Sequence, residues 1–139
     1  MAGVTVFVLH ASAVLRFLDK EAGWERVARI LTDSMGQKAA IAISAVQWGE
    51  IAGAVRKKQG LAAQDRAMGI LAQFPFQIEA ATGDRAVRAA ELKVDRKIAY
   101  ADAFAVELAM STPEHVLVTA DYGFKAADDL VRIEFLPQK

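Results

Sequence analysis

Four side chains of this 139-residue chain have the type and setting to do chemistry together: His10, Glu50, Asp102 and Asp121. Carboxylates brought side by side repel one another, and a hard divalent cation bound through their oxygens removes that repulsion. A cation held in this way polarises a phosphate and lowers the pKa of an attacking water, so the set points to metal-assisted hydrolysis. Each residue also has a purely structural use. Asp102 suits the first turn of a helix, where an acid meets the positive end of the dipole. Asp121 precedes Tyr122-Gly123 and suits an Asx turn. Glu107 shares the apolar setting of Asp102, with Ala103, Phe104 and Met110 beside it. A lone histidine such as His10 or His115 is by type more often packed than ligating. Joint placement is what favours a site.

The elements that do the placing are read from periodicity. Residues 4–9 are β-branched and aromatic and apolar on both faces, as in a parallel strand covered by helices. Ser12 is placed to cap a helix reaching Asp19. A second helix, over residues 21–34, carries Trp24, Val27, Ile30 and Leu31 at helical spacing, with Gly36 as terminator. Residues 39–43 read as a second strand. Ser44-Ala45-Val46-Gln47 then has the form of a capping box and starts a helix that carries Glu50 towards Gln59-Gly60. Further helices are predicted over 61–73, 82–94 and 98–110, and further strands over 76–80, 116–119 and 131–136. One or two helical turns fall within 122–129. The alternation predicts an α/β fold of three layers, with a central, mostly parallel sheet of about five strands between helices.

Ligands of such sheets collect at the carboxyl ends of the strands. That rule places His10, directly after the first strand, and Asp121, just past Thr119, in one crevice. Glu50 has Val46, Gln47, Gly53 and Ala54 at helical offsets, and Asp102 has Ile98, Ala99, Ala105 and Val106. Both acids are therefore expected on packed helix faces, where an unpaired carboxylate costs on the order of several kcal/mol. All four residues should converge in one cleft. The length and the 54% hydrophobic content suit one domain over residues 1–139. No run approaches the roughly 18 apolar residues of a membrane span, and the apolar start lacks a basic leader, so a cytoplasmic protein is expected. The absence of cysteine excludes disulfides and thiolate metal sites. The 17 basic and 17 acidic residues cancel, which excludes holding duplex nucleic acid by charge alone; any such contact must be local or metal-assisted. A Gly-rich phosphate loop, a His-x-x-x-His zinc pair and a Ser-His-Asp order are all missing from the sequence.

Four segments together resemble the PIN-domain ribonucleases of the VapC toxin type. They are Val8-Leu9-His10-Ala11-Ser12-Ala13, Ile43-Ser44-Ala45-Val46 through Glu50-Ile51, Ala101-Asp102-Ala103-Phe104-Ala105, and Leu117-Val118-Thr119-Ala120-Asp121. Their order and spacing match over nearly the whole length, which is far more specific than any one of them. The resemblance implies a compact PIN-like α/β/α fold, Mg²⁺ or Mn²⁺ held by clustered acids, endonucleolytic cleavage of RNA, a homodimer, and an antitoxin partner that occludes the site. By position it implies Glu50, Asp102 and Asp121 as the catalytic metal-site acids, with Ser12 and Thr119 as supporting hydroxyls.

The departure is at His10. The family's first strand delivers an aspartate followed by a small residue and Ser or Thr, and this chain has His-Ala-Ser. Imidazole brings a nitrogen and no negative charge, which disfavours Mg²⁺ and makes Mn²⁺ or Zn²⁺ more tolerable. Three accounts stand side by side: an engineered substitution, a natural variant with altered metal preference, or a member that binds without cutting. The contrasting class is a non-catalytic PIN-like protein-binding module. For it, Val14, Leu15, Phe17, Leu18 and Trp24 offer a partner groove and Trp48 a dimer face, against their ordinary use as core. Arg56, Lys57 and Lys58, and Lys93, Arg96 and Lys97, are candidate contacts to an RNA backbone. Their ordinary reading is as solvated cations near helix C-termini.

Overall fold

The structure, a computed structural model, describes residues 3–139. Its elements run β1 (Val6–Leu9), α1 (Ala11–Asp19), α2 (Trp24–Met35), β2 (Ala40–Ser44), α3 (Ala45–Gln59), α4 (Leu61–Leu71), β3 (Phe76–Glu79), α5 (Gly83–Arg96), α6 (Tyr100–Met110), β4 (His115–Thr119) and β5 (Ile133–Phe135). A 3₁₀ helix, Tyr122–Ala127, joins the last two strands. The sheet order is β3-β2-β1-β4-β5, and each of the four pairings is parallel. Every connection therefore crosses a face of the sheet, and helices cover both sides. The three-layer expectation is met, with a sheet wholly rather than mostly parallel.

β1 shows why its sequence is apolar throughout. Successive strand residues point to opposite faces. Leu9 packs with Val14, Val27, Ile30 and Leu31 on the α1 and α2 side, while Val8 packs with Val106, Ala109 and Leu117 towards α6. Both are fully buried, and each such side chain contributes roughly 2 kcal/mol relative to exposure. The strand begins at Val6 rather than residue 4, because Val4 is exposed and outside the ladder. From β1 the chain winds outward through β2 and β3, then returns to lay β4 on the other edge of β1 and β5 beyond it. The β1/β4 junction is thus the point where strand order reverses, and a crevice opens there at the carboxyl ends.

One predicted cap changes hands, and one predicted capping box is only half made. The cap of α1 is His10, whose ring accepts from the Ser12 N–H; Ser12 lies inside the helix. At α3, Ser44 caps as expected, accepting from the Val46 N–H. Gln47 does not close the capping box. Its Oε1 accepts from the Ala11 N–H at 2.9 Å and its Nε2 donates to the Ala101 carbonyl at 2.7 Å. α6 starts at Tyr100 rather than residue 98, because Lys97 ends α5 in the left-handed conformation and Ile98 is used as a buried anchor between the helices.

Candidate functional site

His10 is the last residue before α1 and sits at the switch point. Its own N–H donates to the Val118 carbonyl at 3.0 Å, and its ring is buried, edge-on to Phe124 at 4.6 Å. Nε2 lies 2.9 Å from Asp102 Oδ1. Nδ1 lies 2.7 Å from Ser12 Oγ and 3.0 Å from Thr119 Oγ1. A carboxylate only accepts, so the Nε2 proton is donated to Asp102. The Ser12 backbone N–H only donates, so Nδ1 presents its lone pair. One proton arrangement then satisfies the cluster. The Ser12 hydroxyl donates to Nδ1, and the Thr119 hydroxyl and the Ala120 N–H donate to Ser12 Oγ at 3.2 and 2.9 Å. The Asp121 N–H donates to Thr119 Oγ1 at 3.0 Å. The chain Asp102–His10–Ser12–Thr119 ties α6, β1, α1 and β4 into one unit.

Ser12, His10 and Asp102 thus form in space the series that their order along the chain conceals. Ser12 is nonetheless poorly placed as a nucleophile, because both lone pairs of its oxygen already accept hydrogen bonds.

The other two acids stay outside this cluster. Asp121 is exposed and caps the 3₁₀ helix, its Oδ1 accepting from the Gly123 N–H at 2.8 Å, which is the Asx-turn geometry. It lines a cleft of about 530 Å³ with Ser12, Arg16, Asp19, Lys58 and Tyr122. Glu50 was expected on a packed face and is exposed, in a shallow groove with Gly49, Gly53 and Lys57 that meets the larger cleft at Ala54. The small residues that made its stripe look buried leave it open instead. Convergence is therefore direct for His10 and Asp102, while Asp121 lines the cleft beside Ser12 and Glu50 lies in the next groove. Sequence reasoning missed Gln47, which aligns the start of α1 with the start of α6 and so sets His10 against Asp102. The Ser-x-x-Gln pattern drew attention to it for a different reason.

Several of the remaining candidates have structural partners. Buried Glu107 accepts from Arg85 at 2.8 Å and Arg88 at 2.9 Å. His115 is held between the Thr112 carbonyl and the Arg132 N–H. Arg96 is paired with Asp129; the guanidinium holds that carboxyl below its ordinary range and is itself raised by it. Val14 is core, and Leu15, Phe17, Leu18 and Trp48 pack against it. Trp24 lies under the Lys20 ammonium.

The donor set as folded does not fit a hard divalent cation. Among the described residues, no three His, Asp or Glu side chains come together closely enough to hold one. Mg²⁺ and Mn²⁺ prefer oxygen ligands, whereas here a buried imidazole with both nitrogens engaged stands against the most central acid.

The family profile described as PIN domain matches residues 7–130. No curated protein matches the sequence. Among solved structures, the chain is similar to VapBC2 from Rickettsia felis bound to a DNA fragment from their promoter, with TM-score 0.74 and 17% identity over 96% of this chain and 100% of that one. It is similar to Mycobacterium tuberculosis VapC20, a sarcin-ricin loop cleaving toxin, with TM-score 0.73 and 20% identity over 96% and 100%. A toxin-antitoxin complex from Klebsiella pneumoniae matches with TM-score 0.71 and 16% identity over 95% and 98%. At these identities the likeness is one of fold.

Proposed function

The chain belongs to the PIN-domain family, and on that premise we propose that it is a VapC-type toxin, the RNA-directed half of a toxin-antitoxin pair, whose hydrolytic power is attenuated at His10. The observation that carries this reading is the 2.9 Å contact between His10 Nε2 and Asp102 Oδ1. A family of RNA-cutting toxins supplies the fold and the acids; the imidazole occupies one of those acids with a hydrogen bond. The same proposal includes an antitoxin partner, a homodimeric state, a cytoplasmic setting and a requirement for Mg²⁺ or Mn²⁺ in any form that cuts. Support for the partner comes from the antitoxin-bound relatives.

The chain's own residues would act as follows. Asp121 and Glu50 present anionic oxygens along the cleft wall, and Lys57 and Lys58 lie beside them to meet a phosphate backbone. Gln47 fixes the spacing between the β1 end and α6. The deciding experiment is RNA cleavage by the parent and His10→Asp, with Mg²⁺ and Mn²⁺ each in excess. Restoring the carboxylate should raise the rate by at least roughly tenfold, which is about 1.4 kcal/mol of barrier. If His10→Asp cuts no better than the parent, the missing acid is not what limits it. The non-catalytic binding module, favoured by the hydrogen bond that occupies Asp102 Oδ1, then takes precedence.

A further inference from the structure

We propose that the His10 imidazole takes over the structural work of a cation in this crevice, so that the protein reaches full stability without divalent metal and binds none there. Acids from different elements that approach at the end of a sheet normally destabilise the fold until a cation joins them. Here the element-to-element bonding is supplied by side chains alone. Nε2–H reaches α6 through Asp102, and Nδ1 reaches α1 through the Ser12 hydroxyl, which is bonded in turn to Thr119 on β4. The side chain is 8% exposed and its ring is wedged against Phe124, so a metal would have to break a hydrogen bond to reach either nitrogen. No buried polar side-chain atom among the described residues is left without a partner, and the Asp102 oxygen that His10 leaves free belongs to a side chain 25% exposed to solvent.

The distinction is between imidazole as a metal ligand and imidazole as a metal substitute. A ligand leaves one nitrogen open towards a shared volume flanked by further donors. This ring has neither an open nitrogen nor, among the described residues, a second acidic neighbour within reach. The inference rests on residue 10 being the altered position of the site. It requires no cleavage of RNA, so it stands or falls by stability measurements, apart from the cleavage assay.

The test is thermal unfolding of the whole protein in EDTA, Mg²⁺ and Mn²⁺, with calorimetric titration of Mn²⁺, for the parent, His10→Asp and His10→Asn. The parent should melt at one temperature in all three media and give no saturable heat. His10→Asp should fall on the order of 5 °C in EDTA, from the repulsion now facing Asp102, and recover with Mn²⁺. His10→Asn should fall too, because its shorter side chain cannot span Ser12 and Asp102, and should stay indifferent to metal. A saturable Mn²⁺-induced rise in the parent overturns the proposal. So does an His10→Asn protein as stable as the parent, since the ring would then be tying nothing together. If His10→Asp does not fold, the parent and His10→Asn results decide alone.

Discussion

Asp102 and Glu107 are both acids of α6, one turn and a half apart, and they are held in opposite ways. The Glu107 side chain is 3% exposed and clamped by two guanidinium groups, one at each oxygen. The Asp102 side chain is 25% exposed and held at one oxygen by a single imidazole; Oδ2 makes no hydrogen bond within the described residues. Two permanent charges around a buried carboxylate make a clamp that serves the fold alone. One bond to a partly open carboxylate holds it in place and leaves it a face towards solvent. Burial of an acid therefore does not mark a site; what marks it is an incomplete set of partners.

The largest expected effect removes the clamp. Arg85→Ala combined with Arg88→Ala strands Glu107 among apolar neighbours and should cost roughly 3–5 kcal/mol in urea unfolding, the usual consequence of isolating a buried charge. A loss well under 1 kcal/mol would mean that Glu107 escapes to solvent, and the contrast with Asp102 would dissolve. A smaller effect is expected at Asp102 itself. Asp102→Ala leaves the His10 N–H unpaired and should cost about 1–2 kcal/mol, whereas Asp102→Asn keeps an acceptor at Oδ1 and should cost less than half as much. Equal losses in the two variants would show that charge, not the hydrogen bond, holds the ring.

The smallest effect provides a surface reference. Asp129 is exposed, and Arg96 beside it depresses its carboxyl, so the ion pair contributes stability above the ordinary carboxylate range. That contribution is lost as pH falls through the depressed value, where the acid protonates. Asp129→Asn should therefore melt slightly below the parent at neutral pH and together with it in strong acid. A gap that widens on acidification would reverse the assigned direction. The exposed pair should in any case fall below both α6 acids in size.

Much of this architecture can be read from β-branched runs and helical stripes, because burial on both faces leaves few choices for residues such as Val8, Ile41 and Leu117. The errors have a common physical origin. Spacing assigns Gln47 and Ser12 to local caps, yet Gln47 bonds to groups 36 and 54 residues away and Ser12 to one 108 away. Local patterns carry no information about such partners. Glu50 was misplaced because glycine and alanine neighbours are as compatible with an open groove as with a tight contact. Glu107 looked equivalent to Asp102 because the two arginines that distinguish it lie on a different helix. The placement of His10 against Asp102 follows from the crossing of β1 with α6, which strand order determines and spacing along the chain does not.

That crossing also has a tempo. His10 meets Asp102 across 92 residues and Thr119 across 109. At a synthesis rate of about 5–20 residues per second, the interval between the two halves of the crevice is on the order of ten seconds. Throughout it, β1 has one ladder edge free and its imidazole has no partner on α6 or β4. Non-local parallel pairing is slow to form in any case. The crevice is therefore among the last features to exist during the birth of each molecule, and a newly made chain passes through a period in which its scaffold is present and its site is not.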